Sequence, residues 1–400
     1  MNRSSLYPLR TICNEWVHPG PGVRSPLMTG LLNLLFATGA LITGPTGCAT
    51  SPAGESGPTF DQHLLSSSGN GSIHAITADL DGDGDPDILS GAFYSGTITW
   101  HVNQGGSFTS QRVATGFQGV RNVCAEDLDG DGDLDVLACA FQTGAVAWWE
   151  NTGGTAWTTH TLTDNLPGAN RVCAGDLDTD GDLDIVAGSW NHAGTGTDRI
   201  IWWENDGSEG YTTHPISESR DRVSGLATAD IDGDGDLDII SSDFGTSRII
   251  WLENTGDGFT PTIVASGFMG CHWIWPHDID GDGDVDLAGA AMQSNTVAWF
   301  ENDGSGVFLR YMVDDSVTFA GCVHVADMDG DGTVDLLASS GGSGALYWWK
   351  QGPGGWQRHT ITASLDQPLS IWADDLDGDG DTDVVGTDFD THILAWWEHR

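Results

Sequence analysis

The chain has 400 residues, more than one hydrophobic core of ~250–300 residues can hold, so it contains several domains or repeats a small unit. Hydrophobic residues make up 39% and aromatics 9%, which excludes a disordered chain, while 56 glycines and 18 tryptophans point to a turn-rich fold with many buried rings. Asp and Glu number 58 against 14 Lys and Arg; the net −44 excludes a general binder of nucleic acid or anionic membrane, and the single lysine, Lys350, leaves almost no candidate for lysine chemistry.

The first 58 residues differ from all that follows. Arg24 precedes a mostly apolar stretch of 16 residues, Leu27 to Ile42, short for a membrane span and suited to the core of a secretory signal. Pro45-Thr46-Gly47-Cys48 and a polar linker come next. This segment resembles a bacterial lipoprotein signal, with Pro45 where that pattern has an aliphatic residue. The resemblance implies export, lipidation at Cys48, and a periplasmic, outer-membrane, cell-surface or extracellular location. Residues 1–47 therefore read as leader, 48–58 as linker and 59–400 as the folded region.

From Thr59 onward the sequence repeats itself. A nine-residue pattern, D-x-D-x-D-G-x-x-D, begins at Asp79, Asp127, Asp176, Asp230, Asp278, Asp327 and Asp375, in steps of 48, 49, 54, 48, 49 and 48 residues. The long step carries an insertion near Asn191 to Asp198. Each acidic loop lies between two short apolar runs, such as Arg171 to Ala174 and Asp184 to Ala187. A Trp-rich run follows, such as AVAWWEN at 145–151 or ILAWWEH at 393–399. A Gly-rich turn then leads to a fourth run, such as WTTHTL at 157–162. Four short runs rich in Val, Ile, Thr and Trp, divided by Gly and Asp, read as four antiparallel strands, A to D. Seven such units predict an all-β fold, a seven-bladed β-propeller of four-stranded antiparallel blades. Paired residues such as Trp148 and Trp149 point to opposite faces of a strand and should fill two different layers between blades. The chain ends on a C-type run, and TFDQHLL at 59–65 matches a D run. Residues 60–65 are therefore expected to complete the last blade and close the ring.

The acidic loops have the chemistry of a calcium site. Calcium takes six to eight hard oxygens, and such loops use side chains at positions 1, 3, 5 and 9, a carbonyl at 7 and Gly at 6. In chain order, positions 1, 3, 5, 7 and 9 are Asp79, Asp81, Asp83, Asp85 and Asp87, then Asp127, Asp129, Asp131, Asp133 and Asp135. The third and fourth loops have Asp176, Asp178, Asp180, Asp182 and Asp184, and Asp230, Asp232, Asp234, Asp236 and Asp238. The fifth has Asp278, Asp280, Asp282, Asp284 and Asp286, the sixth Asp327, Asp329, Asp331, Thr333 and Asp335, and the seventh Asp375, Asp377, Asp379, Asp381 and Asp383. Position 7 varies, as a position that gives only its carbonyl can. With four Asp per loop and six more at position 7, the loops hold 34 of the 58 acids. A turn alone does not need four carboxylates, which repel by up to ~4 kcal/mol per close pair at an effective dielectric of 20. About seven Ca2+ sites are expected; magnesium, which prefers a tight octahedron with retained waters, fits less well.

These loops make residues 59–400 resemble the FG-GAP/VCBS repeat family, which includes integrin-α-like calcium-binding propellers and many bacterial surface proteins. The FG-GAP tripeptide itself is poorly kept, as in Ser90-Gly91-Ala92 and Ala138-Cys139-Ala140, which places the chain nearer the VCBS type. The resemblance implies a propeller with structural calcium in its A–B loops. It also implies protein or carbohydrate partners, or, in some relatives, polysaccharide lyase activity.

Ligand chemistry is sought among residues that do not repeat, before strand A and between strands B and C, on the face opposite the acidic loops. They are Arg121, Asn122, Asn170, Arg171, Arg222, His272, Trp273, His324 and Trp372. Arg199, Arg220 and Arg248 join Arg121, Arg171 and Arg222 in the second to fourth repeats, which would make one positive patch if none paired locally. Trp, Arg, His and Asn suit sugar stacking and carboxylate pairing. The first reading is a monomeric binding or adhesion module for an extracellular glycan or protein, with anionic polysaccharide among the candidates. A lyase or other carbohydrate-active enzyme and a purely structural surface protein stand as alternatives. No catalytic residue is assigned. Cys124, Cys139, Cys173, Cys271 and Cys322, an odd number without metal spacing, read as small buried hydrophobes.

Overall fold

The computed structural model describes residues 58–400 except 68–70, 154–155, 192–197 and 209. The leader, all but the last residue of the linker, and Cys48 lie outside the described residues. The described chain is all strand and turn, 28 strands in seven four-stranded antiparallel sheets. Strand β1 (Phe60–Ser66) is first in the chain but belongs to the last sheet. Blade one is β2 (Ser72–Ala78), β3 (Asp87–Ala92), β4 (Thr97–Asn103) and β5 (Phe108–Ala114). Blade two is β6 (Val120–Glu126), β7 (Asp135–Ala140), β8 (Ala145–Asn151) and β9 (Trp157–Thr163). Blade three is β10 (Ala169–Gly175), β11 (Asp184–Ser189), β12 (Asp198–Asn205) and β13 (Tyr211–Arg220). Blade four is β14 (Val223–Ala229), β15 (Asp238–Asp243), β16 (Arg248–Asn254) and β17 (Phe259–Ser266). Blade five is β18 (Cys271–His277), β19 (Asp286–Ala291), β20 (Thr296–Asn302) and β21 (Phe308–Asp314). Blade six is β22 (Ala320–Ala326), β23 (Asp335–Ser340), β24 (Ala345–Lys350) and β25 (Gln357–Thr362). Blade seven is β26 (Pro368–Asp374), β27 (Asp383–Asp388), β28 (Ile393–His399) and, on its outer edge, β1.

The expected closure is therefore present. β1 pairs antiparallel with β28, Phe60 opposite His399 and His63 opposite Trp396. The A strands β2, β6, β10, β14, β18, β22 and β26 touch in that order, and β26 meets β2 again, so they line the axis of a closed ring.

Burial follows position in the blade. Every B strand is buried along its whole length, because both its faces meet neighbouring blades. The outer D strands expose most of their second and third residues, as in β9 and β17. The paired tryptophans divide as expected. Trp148 packs with Leu128, Val172 and Trp203 toward blade three, and Trp149 with Ile76, Leu89 and Trp100 toward blade one. Truncating a ring buried this way costs ~3–5 kcal/mol. The recurring D-strand histidines serve the same layer. His63, His160 and His359 stack on Trp396, Trp148 and Trp348 at 4.3, 4.0 and 4.5 Å between ring centres. His63 and His160 also hold Glu398 and Glu150, at 2.8 and 3.1 Å. All five cysteines of the described region are free thiols, buried or half-buried.

Each A strand starts with an irregularity. In β6 Val120 faces Ala140 and Asn122 faces Cys139, so Arg121 is an extra residue against its partner strand. Asn170 in β10 and His272 in β18 occupy the same place. A bulge of this kind breaks strict alternation and re-aims the side chains around it.

Candidate functional site

Two regions carry chemistry: the acidic loops at one end of the blades and the residues along the axis. In each acidic loop the backbone curls around the first carboxylate. Asp127 Oδ1 accepts from the amides of Gly130 and Asp131 at 2.9 and 3.1 Å, and its Oδ2 accepts from Gly132 at 3.1 Å. Gly at position 6 has a left-handed φ in all seven loops, from 84° at Gly332 to 100° at Gly181, which explains why no side chain replaces it. Position 4 is left-handed too, and Thr179 adopts φ 60° there in place of Gly. In the third, fourth and fifth loops, positions 1, 3 and 5 bring carboxylate oxygens within 4.8 Å of one another; in the first two, positions 1, 3 and 9 do so. In the sixth loop the Thr333 hydroxyl donates to Asp331, but in the first two the position-7 side chain turns away to the C–D turn: Asp85 accepts from the Gly105 amide at 3.2 Å, and Asp133 faces Gly153. That leaves its carbonyl for the loop.

Position 9 has a second task that the loop pattern does not reveal. Asp87, Asp135, Asp184, Asp238, Asp286, Asp335 and Asp383 are almost fully buried. Asp135 Oδ2 accepts from the Leu128 amide at 3.0 Å and Oδ1 from the Asn151 amide at 2.8 Å. Each position-9 carboxylate thereby ties its loop to the end of strand C. Burial pushes the carboxyls of Asp135, Asp335 and Asp383 up to about 7, against the pull of these amides. The same cause raises Asp87, Asp184, Asp238 and Asp286 to about 6. A buried carboxylate without a positive partner is what a bound cation relieves.

The sequence reading missed the asparagine that closes the C strand in blades one to five. Asn151 Nδ2 donates to the Leu134 carbonyl of its own loop at 3.2 Å and to the Leu80 carbonyl of blade one's loop at 2.9 Å. Asn103, Asn205, Asn254 and Asn302 donate in the same way to Leu376, Leu128, Leu177 and Ile231, each in the preceding blade, at 2.7, 3.2, 2.7 and 2.7 Å. Every such loop is thus latched to the next blade. The repeated N of W-W-E-N was the available signal.

The sixth loop departs from the rest. Lys350 donates to Asp329 and, at 3.0 Å, to Asp331, so its ammonium bridges positions 3 and 5. The corresponding residue is Glu150, Glu204, Glu253, Glu301 or Glu398 in five blades and Val102 in blade one; burial raises the pKa of Asp129, Asp178, Asp280 and Asp377 at position 3, and Glu150, Glu204, Glu301 and Glu398 add to it.

The donor set of the other six loops is hard oxygen alone and includes a buried carboxylate held above its usual range, and in the first five loops it converges at positions 1, 3 and 5 or 9. It fits a divalent cation of calcium's kind. In the second loop Asp127, Asp129, Asp131 and Asp135 would hold it with the Asp133 carbonyl. Bound there, the ion would supply positive charge to a loop that otherwise repels itself.

At the axis, the predicted ligand residues divide by role. Asn122 Oδ1 accepts from Val172 N at 3.0 Å, Asn170 Nδ2 donates to the Val223 carbonyl at 2.8 Å, and His272 Nδ1 meets the Gly321 carbonyl at 2.5 Å. All three tie one blade to the next. Arg171, Arg121, Trp273 and His74 form a second group. The Arg171 guanidinium lies 4.2 Å over the Trp273 ring, His74 stacks on Trp273 at 5.2 Å, and Arg121 Nε donates to Asn170 Oδ1 at 2.9 Å. Burial lowers Arg171 to about 9 and Arg121 to about 10, and their mutual repulsion adds to the shift of Arg171. His324 stacks on Trp372 at 4.3 Å, with Trp275 edge-on to both. Arg171, Trp273, Trp275, Trp372, His74 and Asn122 share a cavity of about 350 Å³ between the A strands.

The six arginines do not make one exposed patch. Arg220 is buried against Asp243 at 3.2 Å, and Arg248 is the cross-strand neighbour of that same Asp. Arg222 pairs with Asp221 at 3.3 Å and lies 5.4 Å over Phe244. Arg199 is exposed. Of the six, Arg220 and Arg222 pair with local acids, and Arg121 and Arg171 lie at the axis. The other predicted binding residues are likewise largely inside the ring and not on an open face.

A closed seven-bladed ring with an acidic, Gly-turned loop in each blade defines the class as a repeat propeller with cation-type loops. The chain belongs to the FG-GAP-like repeat family, whose model matches residues 79–138, 127–187, 189–241, 230–289, 278–338 and 327–386. Among curated proteins nothing matches the sequence. Among solved structures, it is similar to a lectin of Agrocybe aegerita described for specific recognition of non-reducing terminal N-acetylglucosamine. That likeness has 20% identity and a TM-score of 0.53, and covers 73% of this chain and 81% of the lectin chain; it is a likeness of fold.

Proposed function

We propose that this protein is an exported, calcium-stabilised propeller that binds an extracellular glycan or protein. The observation that carries the calcium reading is the convergence of carboxylates in loops whose buried position-9 Asp has no positive partner. Six loops hold calcium on this reading, and the sixth in chain order holds the Lys350 ammonium instead. The glycan reading is supported by the sugar recognition of the lectin neighbour and by the aromatic and cationic residues gathered at the axis. Export, and anchoring through Cys48, rest on the leader sequence.

A ligand that binds only the folded state stabilises it by ~2.7 kcal/mol per site at a hundredfold excess over Kd. Chelation should therefore lower the melting temperature by many degrees, and calcium should restore it better than magnesium. Identical melting with and without a chelator would sink the calcium reading. A glycan array probed with the calcium-loaded protein tests the binding reading, and a blank array together with no captured protein partner would count against it. Cys48→Ser should release the protein from the membrane fraction; wild-type protein found in the cytosol with residues 1–47 intact would refute export.

A further inference from the structure

We propose that the axial cavity is a binding site for a single carboxylate-bearing sugar unit, such as a uronic acid, whose carboxylate seats on Arg171. This deepens the binding-module reading and rests on it. Arg171 is 4% exposed, yet among the described residues its Nε–H has no acceptor, while Nη1 donates to the Asn170 carbonyl at 3.0 Å. The titratable groups that act on it are Arg121 and the thiols of Cys139 and Cys322, which burial keeps neutral, with no carboxylate among them. The chain carries 58 acids, and Arg220 shows how this fold treats a structural arginine: it is buried directly against Asp243. Arg171, set beside a second arginine and paired with no acid, keeps its Nε–H for an anion from outside.

The surroundings suit a sugar ring. Trp275 and Trp372 line the cavity beside Trp273, which already supports the guanidinium, and offer an apolar ring face. About 350 Å³ is at the small end of ordinary ligand cavities (~300–1,000 Å³), enough for one ring and not for a long chain. A terminal or single uronate is therefore the fitting class.

The test is thermal shift and calorimetry on the calcium-loaded protein at low salt, with sodium glucuronate, glucose and sodium sulfate as probes. Glucuronate should raise the melting temperature and bind with an affinity that falls as salt rises, while glucose does neither. Arg171→Met should melt no lower than wild type without ligand, because a buried unpaired charge has been removed, and should lose about tenfold or more in glucuronate affinity. Arg171→Lys, which keeps the charge and loses the fork, should bind between the two. If Arg171→Met does not fold, Arg121→Met and the wild-type salt dependence carry the test. No glucuronate response, or an equal response in Arg171→Met, overturns the proposal. A response to sulfate alone overturns the carboxylate assignment. A neutral glycan bound on the array without a glucuronate response removes the axial site and leaves the binding module standing. A glucuronate response with no array or protein ligand does the reverse.

Discussion

One residue separates the sixth acidic loop from its neighbours. Lys350 stands where Glu150, Glu204, Glu253, Glu301 and Glu398 stand, and Val102 in blade one. Five blades thus set a carboxylate at the strand end beside the loop and blade six sets a cation there. Its Thr333 hydroxyl and ammonium hold the Asp331 carboxyl down at about 2. The D-strand histidine loses its carboxylate partner in the same exchange: His359 keeps its stack on Trp348, but its Nε2 finds no acceptor among the described residues. A flexible ammonium competing with calcium for two carboxylates leaves the loop a poor cation site. Native mass spectrometry or calorimetry should count six calcium ions on the wild type and seven on Lys350→Glu. An equal count in both would show that Lys350 gives way to the metal. Within the second loop, Asp131→Ala should remove one calcium from the count, whereas Asp133→Ala should change affinity little, because that side chain faces Gly153 and not the other carboxylates. Comparable losses from both would place the Asp133 side chain among the ligands.

Strand ends are where the blades are joined, and the join runs through the acidic loops. The Asn151 amide donates to Asp135, its own loop's last residue, and its Nδ2 donates to the Leu80 carbonyl of the loop before it. Asn151→Ala would leave the buried carbonyls of Leu80 and Leu134 without this donor, a penalty of ~1–3 kcal/mol each where water cannot reach. Denaturant unfolding should show a loss in that range, and calcium affinity in the loops of blades one and two should fall with it. Unchanged stability would show that the latch is idle. Within blade one the C strand breaks the Trp pattern with His101, held between Ser90 at 3.0 Å and Ser110 at 2.9 Å. Burial takes its pKa from 6.5 down to about 4. Above pH 6.5 neither the folded nor the unfolded chain is protonated there, and the contribution is flat. Below it the unfolded chain takes up a proton that the fold refuses, so stability falls by about 1.4 kcal/mol per pH unit until about pH 4. The raised position-9 carboxylates titrate over part of this window with the opposite sign, so the informative quantity is a difference. The stability of His101→Gln relative to wild type should rise steadily from pH 6.5 to 4. A constant difference would mean that His101 protonates freely in the fold.

At the scale of the whole ring, the repeat length, the Trp pairs and the phase of the two chain ends were legible because each recurs or is offset against a recurring frame. The blade count and the closing strand follow from them. The axis was not legible in the same way. Arg121, Asn170 and His272 stand out as non-repeating, but only the bulge at the start of strand A turns them and their neighbours between blades or into the axis, and no spacing rule announces a bulge. The pairing of Arg220 with Asp243 joins the end of one blade to strand B of the next, a contact 23 residues apart in sequence that composition cannot reveal. Closure also determines how the molecule should fail. A propeller buries each blade against two others, so one open seam exposes the faces of blades one and seven together. Only β1 completes blade seven: it pairs along β28 from Phe60 to Ser66, stacks His63 on Trp396 and Phe60 on His399, and the Arg400 amide reaches the Thr59 carbonyl at 3.0 Å. A chain beginning at Gly71 keeps all seven acidic loops but leaves β28 an unpaired edge with Trp396 uncovered, which invites pairing with another copy. That variant should melt well below the full protein, bind a hydrophobic dye and associate at micromolar concentration. A synthetic peptide spanning residues 58–67 should reverse these effects, while the same peptide with His63→Asp and Phe60→Asp should not. A truncated chain that stays monomeric and melts with the full protein would show that the ring is held by its inner strands alone.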